Sequence, residues 1–413
     1  MGVGQFIQPQ INNHNRLKHQ ATDVIYPMPR RKRMISDFTD DNWILLIGSG
    51  ISDDNVNFVY GTKSVKVTAV SGVTTMFKEV PNLKLENKFL VISFFLDSVA
   101  NLNKIRIYLS TDTGAINNAY LIAKSTVKPG WNIMSIDCDV YTTTGNPTGL
   151  GNIKTIGIRV DANTSTTVNV SFDSIYYMDK LADRGKIVLT FDDAYESVYA
   201  IKPKMDKYGF CGVAYCPTSR IGNAGRLTLD QCKKLYQVGW DISSHSETHP
   251  ISPAMTTYTQ EQMDAELRNS YNYLIQNGFT RSARHYAHVG GATNDLLQSR
   301  VDKIYQTCRG SDTGPENIPL VTKNYVRNAI IIELTTTLEA AQAMVDRAES
   351  KKHIAVFMFH NIAETPVTAY EWSKTKYDAL MDYIVTKNVD VVTMSELVMF
   401  EPNILDQRVQ AGW

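Results

Sequence analysis

Cysteine is scarce in this sequence: five residues (Cys138, Cys211, Cys216, Cys232 and Cys308), with no CxxC pair among them. That is too sparse for a disulfide framework in a chain of 413 residues. Cys211 and Cys216 frame the apolar segment CGVAYC and read as buried thiols on one strand. An excess of charge of either sign is also missing, with 42 Lys and Arg against 42 Asp and Glu. No overall field therefore recruits nucleic acid or an anionic membrane, and the one basic run, Arg30 to Arg33, reads as a solvated arm. No stretch approaches the roughly 18 apolar residues of a membrane span, and the opening MGVGQFIQPQINNHNRLKHQ has no apolar signal-like core. Neither membrane insertion nor Sec export is expected. Tandem repeats and low-complexity tracts are absent as well.

With 43% hydrophobic and 20% charged residues the chain buries a real core, and its length favours two domains. A polar arm, 1–34, comes first. From 35 to 180 short segments alternate apolar and polar residues, among them SVKVTAV, FLVISFFL, KIRIYLS, TIGIRV and SIYYM. This period of two, rich in β-branched and aromatic residues, predicts an antiparallel β-sandwich. After a short linker near Leu181 to Gly185 the pattern changes. Apolar strands (KIVLTF, CGVAYC, WDISS, RHYAHV, NAIIIEL, HIAVFMF, DVVTM) alternate with amphipathic helical stretches over 184–413. Repeated βα units of this number predict a parallel, closed or nearly closed barrel.

In such a barrel the side chains at the C-terminal ends of the strands gather at one mouth. KIVLTF runs into Asp192 and Asp193, WDISS into His245 and His249, and HIAVFMF into His360. Two histidines four apart, with Asp193 from another strand, make an N,N,O ligand set with a position left for water, as a catalytic Zn²⁺ or similar divalent ion requires. Consecutive residues at a strand end point in different directions, so Asp192 and Asp193 have different tasks. Their adjacency excludes a glycosidase acid/base pair, which must stand about 5 Å or more apart.

The segments TFDDA, HSETH (His245 to His249) and FMFHN, in this order at strand ends, resemble the NodB-homology polysaccharide deacetylases, carbohydrate esterase family four, over about 230 residues. The resemblance implies a distorted (β/α) barrel of seven units. It also implies Asp192 as catalytic base, Asp193, His245 and His249 as metal ligands, and His360 as general acid. The metal would be Zn²⁺, with Co²⁺, Ni²⁺ or Mn²⁺ as substitutes. The third motif, RHYAHVGGATN, departs from the family at His288 and Val289, and Ala194 stands where the family has glycine. Arg284 occupies the place of the arginine that orients the base, with Arg309 as competitor, and Tyr286, His288 and Gly290 are assigned to the substrate. His288 also has the alternatives of a pocket wall or a fourth ligand.

In the first half, SDFTDDNW, the segment Gly61 to Val67 and DSIYY resemble a carbohydrate-binding jelly roll of the galactose-binding-like type. A spacer or oligomerisation module is the alternative. The expected activity is removal of acetyl groups, N-acetyl rather than O-acetyl, from a cell-surface or extracellular polysaccharide. A non-catalytic glycan adhesin on the same folds is the competing reading. The expected location is extracellular or virion-associated, as in a bacteriophage tail component, with the N-terminal region serving virion or homo-oligomer assembly.

Overall fold

The computed structural model describes residues 33–39, 42–113, 118–123, 127, 129–140, 142–143, 149–179, 184–312 and 325–400. The expected arm therefore lies almost wholly outside the described residues. Between Lys180 and Leu181 the chain divides into two compact units. Among the described residues no helix is long and apolar enough to cross a membrane.

The first unit contains β1 (Arg33–Ser36), β2 (Ile44–Ile47), β3 (Gly50–Asp54), β4 (Ser64–Val70), β5 (Val73–Leu83), β6 (Lys88–Leu96), β7 (Leu102–Ser110), β8 (Asn118–Ala123), β9 (Gly130–Asp137), β10 (Thr142–Thr143), β11 (Ile153–Ala162) and β12 (Thr167–Asp179). They form two antiparallel sheets, ordered β3-β4-β12-β6-β9 with β1 also on β12, and β10-β8-β7-β11-β5-β2. Alternation decides which residues face inward: Val65, Val67 and Ala69 of β4 share one apolar core with Leu90, Ile92 and Phe94 of β6 and Ile156, Ile158 and Val160 of β11. In β12 the register slips between Phe172 and Ser174, so Phe172 and Ile175 both reach that core. The residue at the slip, Asp173, accepts hydrogen bonds from Val59 N (2.9 Å) and Tyr60 N (3.2 Å).

The second unit is built on β13 (Gly185–Asp192), β14 (Val213–Cys216), β15 (Asp241–Ser244), β16 (His285–Ala287), β17 (Thr307–Asp312), β18 (Tyr325–Asn328), β19 (Ile330–Ile331), β20 (Ile354–Phe359) and β23 (Val389–Val391), all in parallel pairs. The short β21 (Asn361–Ala363) and β22 (Glu371–Ser373) pair with each other. The order is β18-β17-β16-β15-β14-β13-β20-β19, with β23 against β13. Because β18 and β19 follow one another closely, one on β17 and the other on β20, they bring the two ends of the sheet together and the expected nearly closed barrel results. Its helices include α1 (Lys202–Tyr208), α2 (Leu229–Gln237), α3 (Gln260–Gln276), α4 (Asp295–Ile304), α5 (Leu338–Lys351), α6 (Lys374–Ile384) and α7 (Met394–Phe400). Several start with a side-chain cap, and Thr228 and Thr259 each form a full capping box.

Parity along the strands sets what reaches the mouth. Ile187, Leu189 and Phe191 of β13 and Ala355, Phe357 and Phe359 of β20 pack in the cluster shared with the helices. Val188 and Ile354, Val356 and Met358 pack with Val213, Tyr215 and Ala287 in the barrel interior. Asp192 and His360 continue the interior parity. At the opposite end α7 closes the barrel: Ser395 donates from N (2.7 Å) and Oγ (2.8 Å) to the buried Asp241, and His285 Nε2 lies 2.9 Å from Ser395 Oγ. Burial pushes the His285 imidazole down to about 4, so it enters this network neutral.

Candidate active site

Asp193, His245 and His249 converge, with one ligand atom from each lying within 4.8 Å of the others. His249 Nε2 is 2.8 Å and His245 Nε2 3.9 Å from Asp193 Oδ1, while Asp192 Oδ2 is 3.8 Å from His245 Nε2. Asp193 Oδ1 is buried and no donor is aligned to it, the condition of an oxygen prepared for a cation. Burial opposes ionisation of Asp193, but His249, His245 and His360 outweigh it and hold the carboxyl well below the usual carboxylate range. The His245 imidazole is pushed down to about 4 by burial, against the pull of Asp192, so it stays neutral with a lone pair to give. One anionic oxygen and two imidazoles suit a divalent ion of the zinc type.

The backbone carrying these groups is strained. Asp193 (φ 70°), Ala194 (φ 56°), Ser246 (φ 66°) and His249 (φ 63°) are all left-handed, at about 1–2 kcal/mol each for residues with a Cβ. Alanine at 194 therefore carries a strain that glycine would not. Surrounding bonds hold the geometry: Arg226 Nη1 donates to Asp193 O (2.8 Å) and Leu227 N to Ala194 O (2.7 Å). In the histidine turn, His249 N donates to Ser246 Oγ (3.0 Å), and Glu247 N (3.0 Å) and Thr248 N (2.9 Å) donate to the buried Glu266 of α3. Glu266 reads in the sequence as one more polar residue of an amphipathic helix; only the chain's return over β15 gives it this task. Glu266→Ala is expected to destabilise the protein by about 3 kcal/mol through two orphaned N–H groups. Urea unfolding checks this, and unchanged stability would mean that the turn holds itself.

The arginine on Asp192 is Arg309. Its Nη2 donates to both carboxylate oxygens, Nη1 lies 2.7 Å from Met358 Sδ, and the guanidinium sits 5.2 Å from the Tyr215 ring centre. Both members of the pair are buried. Arg284 is instead exposed at the N-terminal end of β16, where its carbonyl accepts from Gln306 N, so the structure corrects that assignment. One substrate assignment is corrected as well. Tyr286 is fully buried on the helix-facing side of β16, stacked on Tyr305 at 5.1 Å, because strand parity turns it away from the mouth. His288 is buried, with Nε2 3.0 Å from Gln298 Oε1 of α4. Gly290 alone of the three is exposed at the rim, at φ 58°. His360 is half-buried, 5.2 Å from the Tyr370 ring, and its Nδ1 is buried without a hydrogen-bond partner.

The second unit is thus a nearly closed parallel barrel with a group of residues at its mouth that could hold a metal ion. Residues 179–306 match the family described as Polysaccharide deacetylase, and this segment is a polysaccharide deacetylase domain, an enzyme domain of the carbohydrate deacetylase class. The chain is 27% identical over 126 residues to a putative polysaccharide deacetylase, YxkH, of Bacillus subtilis (strain 168), covering 30% of this chain and 44% of that protein. Among solved structures it is similar to the Xyl-CE4 domain of a multidomain xylanase from the hindgut metagenome of Trinervitermes trinervoides (16% identity, TM-score 0.38, 53% of this chain and 94% of that one). It is also similar to a family 11 carbohydrate-binding module from Clostridium thermocellum (22% identity, TM-score 0.27, 36% and 95%).

Proposed function

We propose that the whole chain is a metal-dependent deacetylase that hydrolyses N-acetyl groups on a polysaccharide. The observation that carries this reading is the meeting of Asp193, His245 and His249 with a separately anchored Asp192 and with His360 at one barrel mouth. A divalent ion held by Asp193, His245 and His249 would polarise the acetyl carbonyl and acidify water beside it. Asp192 stands next to this ligand set, and its carboxylate takes the proton from the attacking water. Arg309 fixes the carboxylate's orientation, so that little reorganisation accompanies the transfer. His360 returns a proton to the departing amine. Acetate leaves and the sugar is left intact. The two antiparallel sheets of the first unit we read as a jelly-roll module that holds the same polymer.

Acetate release from an N-acetylated oligosaccharide, with and without a chelator, tests the activity. His360→Ala is expected to lower release from the amide about 10²–10⁴-fold, and release from an activated aryl acetate far less, because a phenolate leaves without a proton. Equal losses on both substrates would make His360 a packing residue and not the acid.

A further inference from the structure

The two histidines of the ligand set are prepared differently. His245 Nδ1 lies 2.9 Å from the carbonyl oxygen of Ala287, which can only accept, so the ring proton is on Nδ1 and the Nε2 lone pair faces Asp192 and Asp193. This is the usual preparation of a metal ligand, whose outer N–H donates to a carbonyl or carboxylate. His249 has the reverse arrangement. Its Nδ1 lies 3.2 Å from Nη2 of Arg220, and a guanidinium can only donate. With the Nδ1 lone pair taken, the neutral ring carries its proton on Nε2, which lies 2.8 Å from Asp193 Oδ1 without being aligned to it as a donor. A protonated Nε2 has no lone pair for a cation.

The contact is built into the backbone. Arg220 ends the short turn Thr218–Arg220 after β14, and this turn is tied to the histidine turn by Thr218 N to Ser246 O (3.1 Å) and Ser219 N to Glu247 O (3.0 Å). The half-buried guanidinium is thereby held against His249. We propose that Arg220 is a positioning residue that weakens divalent-metal binding, keeping His249 in the tautomer that cannot ligate until the guanidinium withdraws and the ring proton moves to Nδ1. Full metal loading then depends on where this one side chain rests. The inference rests on the metal reading above.

The test is the zinc affinity of the full-length protein, measured by competition with a chromophoric chelator, together with nitrogen NMR of the histidine-labelled, metal-free protein. Arg220→Met is expected to bind zinc about 10-fold more tightly than wild type, and Arg220→Glu, whose carboxylate can accept from Nδ1–H, more tightly still. In the metal-free wild type the His249 proton is expected on Nε2, and in Arg220→Glu on Nδ1. Wild type binding as tightly as or more tightly than both variants would overturn the inference, as would Nδ1–H in the wild type. If that occurs while His245→Ala loses zinc, the metal reading stands and only the role of Arg220 falls. If no variant and no wild-type sample binds zinc, the metal reading fails and takes this inference with it.

Discussion

Asp192→Asn is expected to keep metal near the wild-type level while acetate release falls by about 10²–10⁴-fold, the range of a lost general base. Asp193→Asn is expected to do the opposite to the metal, losing it together with activity, and excess Zn²⁺ then restores part of the rate. The two side chains are adjacent in sequence but differently engaged: Asp193 Oδ1 lies 2.8 Å from His249 Nε2, whereas both oxygens of Asp192 are gripped by Arg309. That grip adds a consequence. Asparagine at 192 leaves the buried Arg309 without its counter-charge, so Asp192→Asn should also lose about 3 kcal/mol of stability. Metal analysis, acetate release and a melting curve on the same preparations separate the three effects. A metal-free Asp192→Asn beside a metal-loaded Asp193→Asn would reverse the assignment.

Arg309→Met should destabilise the protein by about 3–5 kcal/mol, because it strands a buried carboxylate. Acetate release should fall with it even where the variant is folded, since Asp192 loses the group that fixes its orientation. Arg309→Lys should rescue little, because a single ammonium cannot meet Asp192, Met358 Sδ and the Tyr215 ring at once as the planar guanidinium does. In the double variant Asp192→Asn/Arg309→Met the stability losses should be well short of additive, as one broken pair cannot be broken twice. Additive losses in urea unfolding would show that the two side chains do not depend on each other. By contrast Arg284→Ala, at an exposed site, should leave both stability and turnover near wild type.

Much of the barrel follows from local pattern. KIVLTF and HIAVFMF are continuous apolar runs, as strands buried on both faces must be, and they lead straight into Asp192 and His360. The HSETH spacing likewise marks His245 and His249 without reference to the rest of the chain. β17 was hidden for a physical reason. TCRGSD is polar, contains glycine and lacks the apolar run of the other strands, and it begins only three residues after α4 ends at Ile304. Arg309 stands in the sequence only as a competitor of Arg284; its charge is buried because Asp192 arrives from β13 to meet it.

The parity of β16 could have been read in advance: counting from Ala287, which faces the interior, Tyr286 must face the helices. The sequence by itself determined the strand ends and the chemical types at the barrel mouth, because periodicity and side-chain chemistry are local properties. Which arginine meets Asp192, how Glu266 holds the histidine turn and which nitrogen of each histidine is free were decided only by the tertiary structure. Each of these is a contact between residues far apart in the chain, made when strands and helices close on one another.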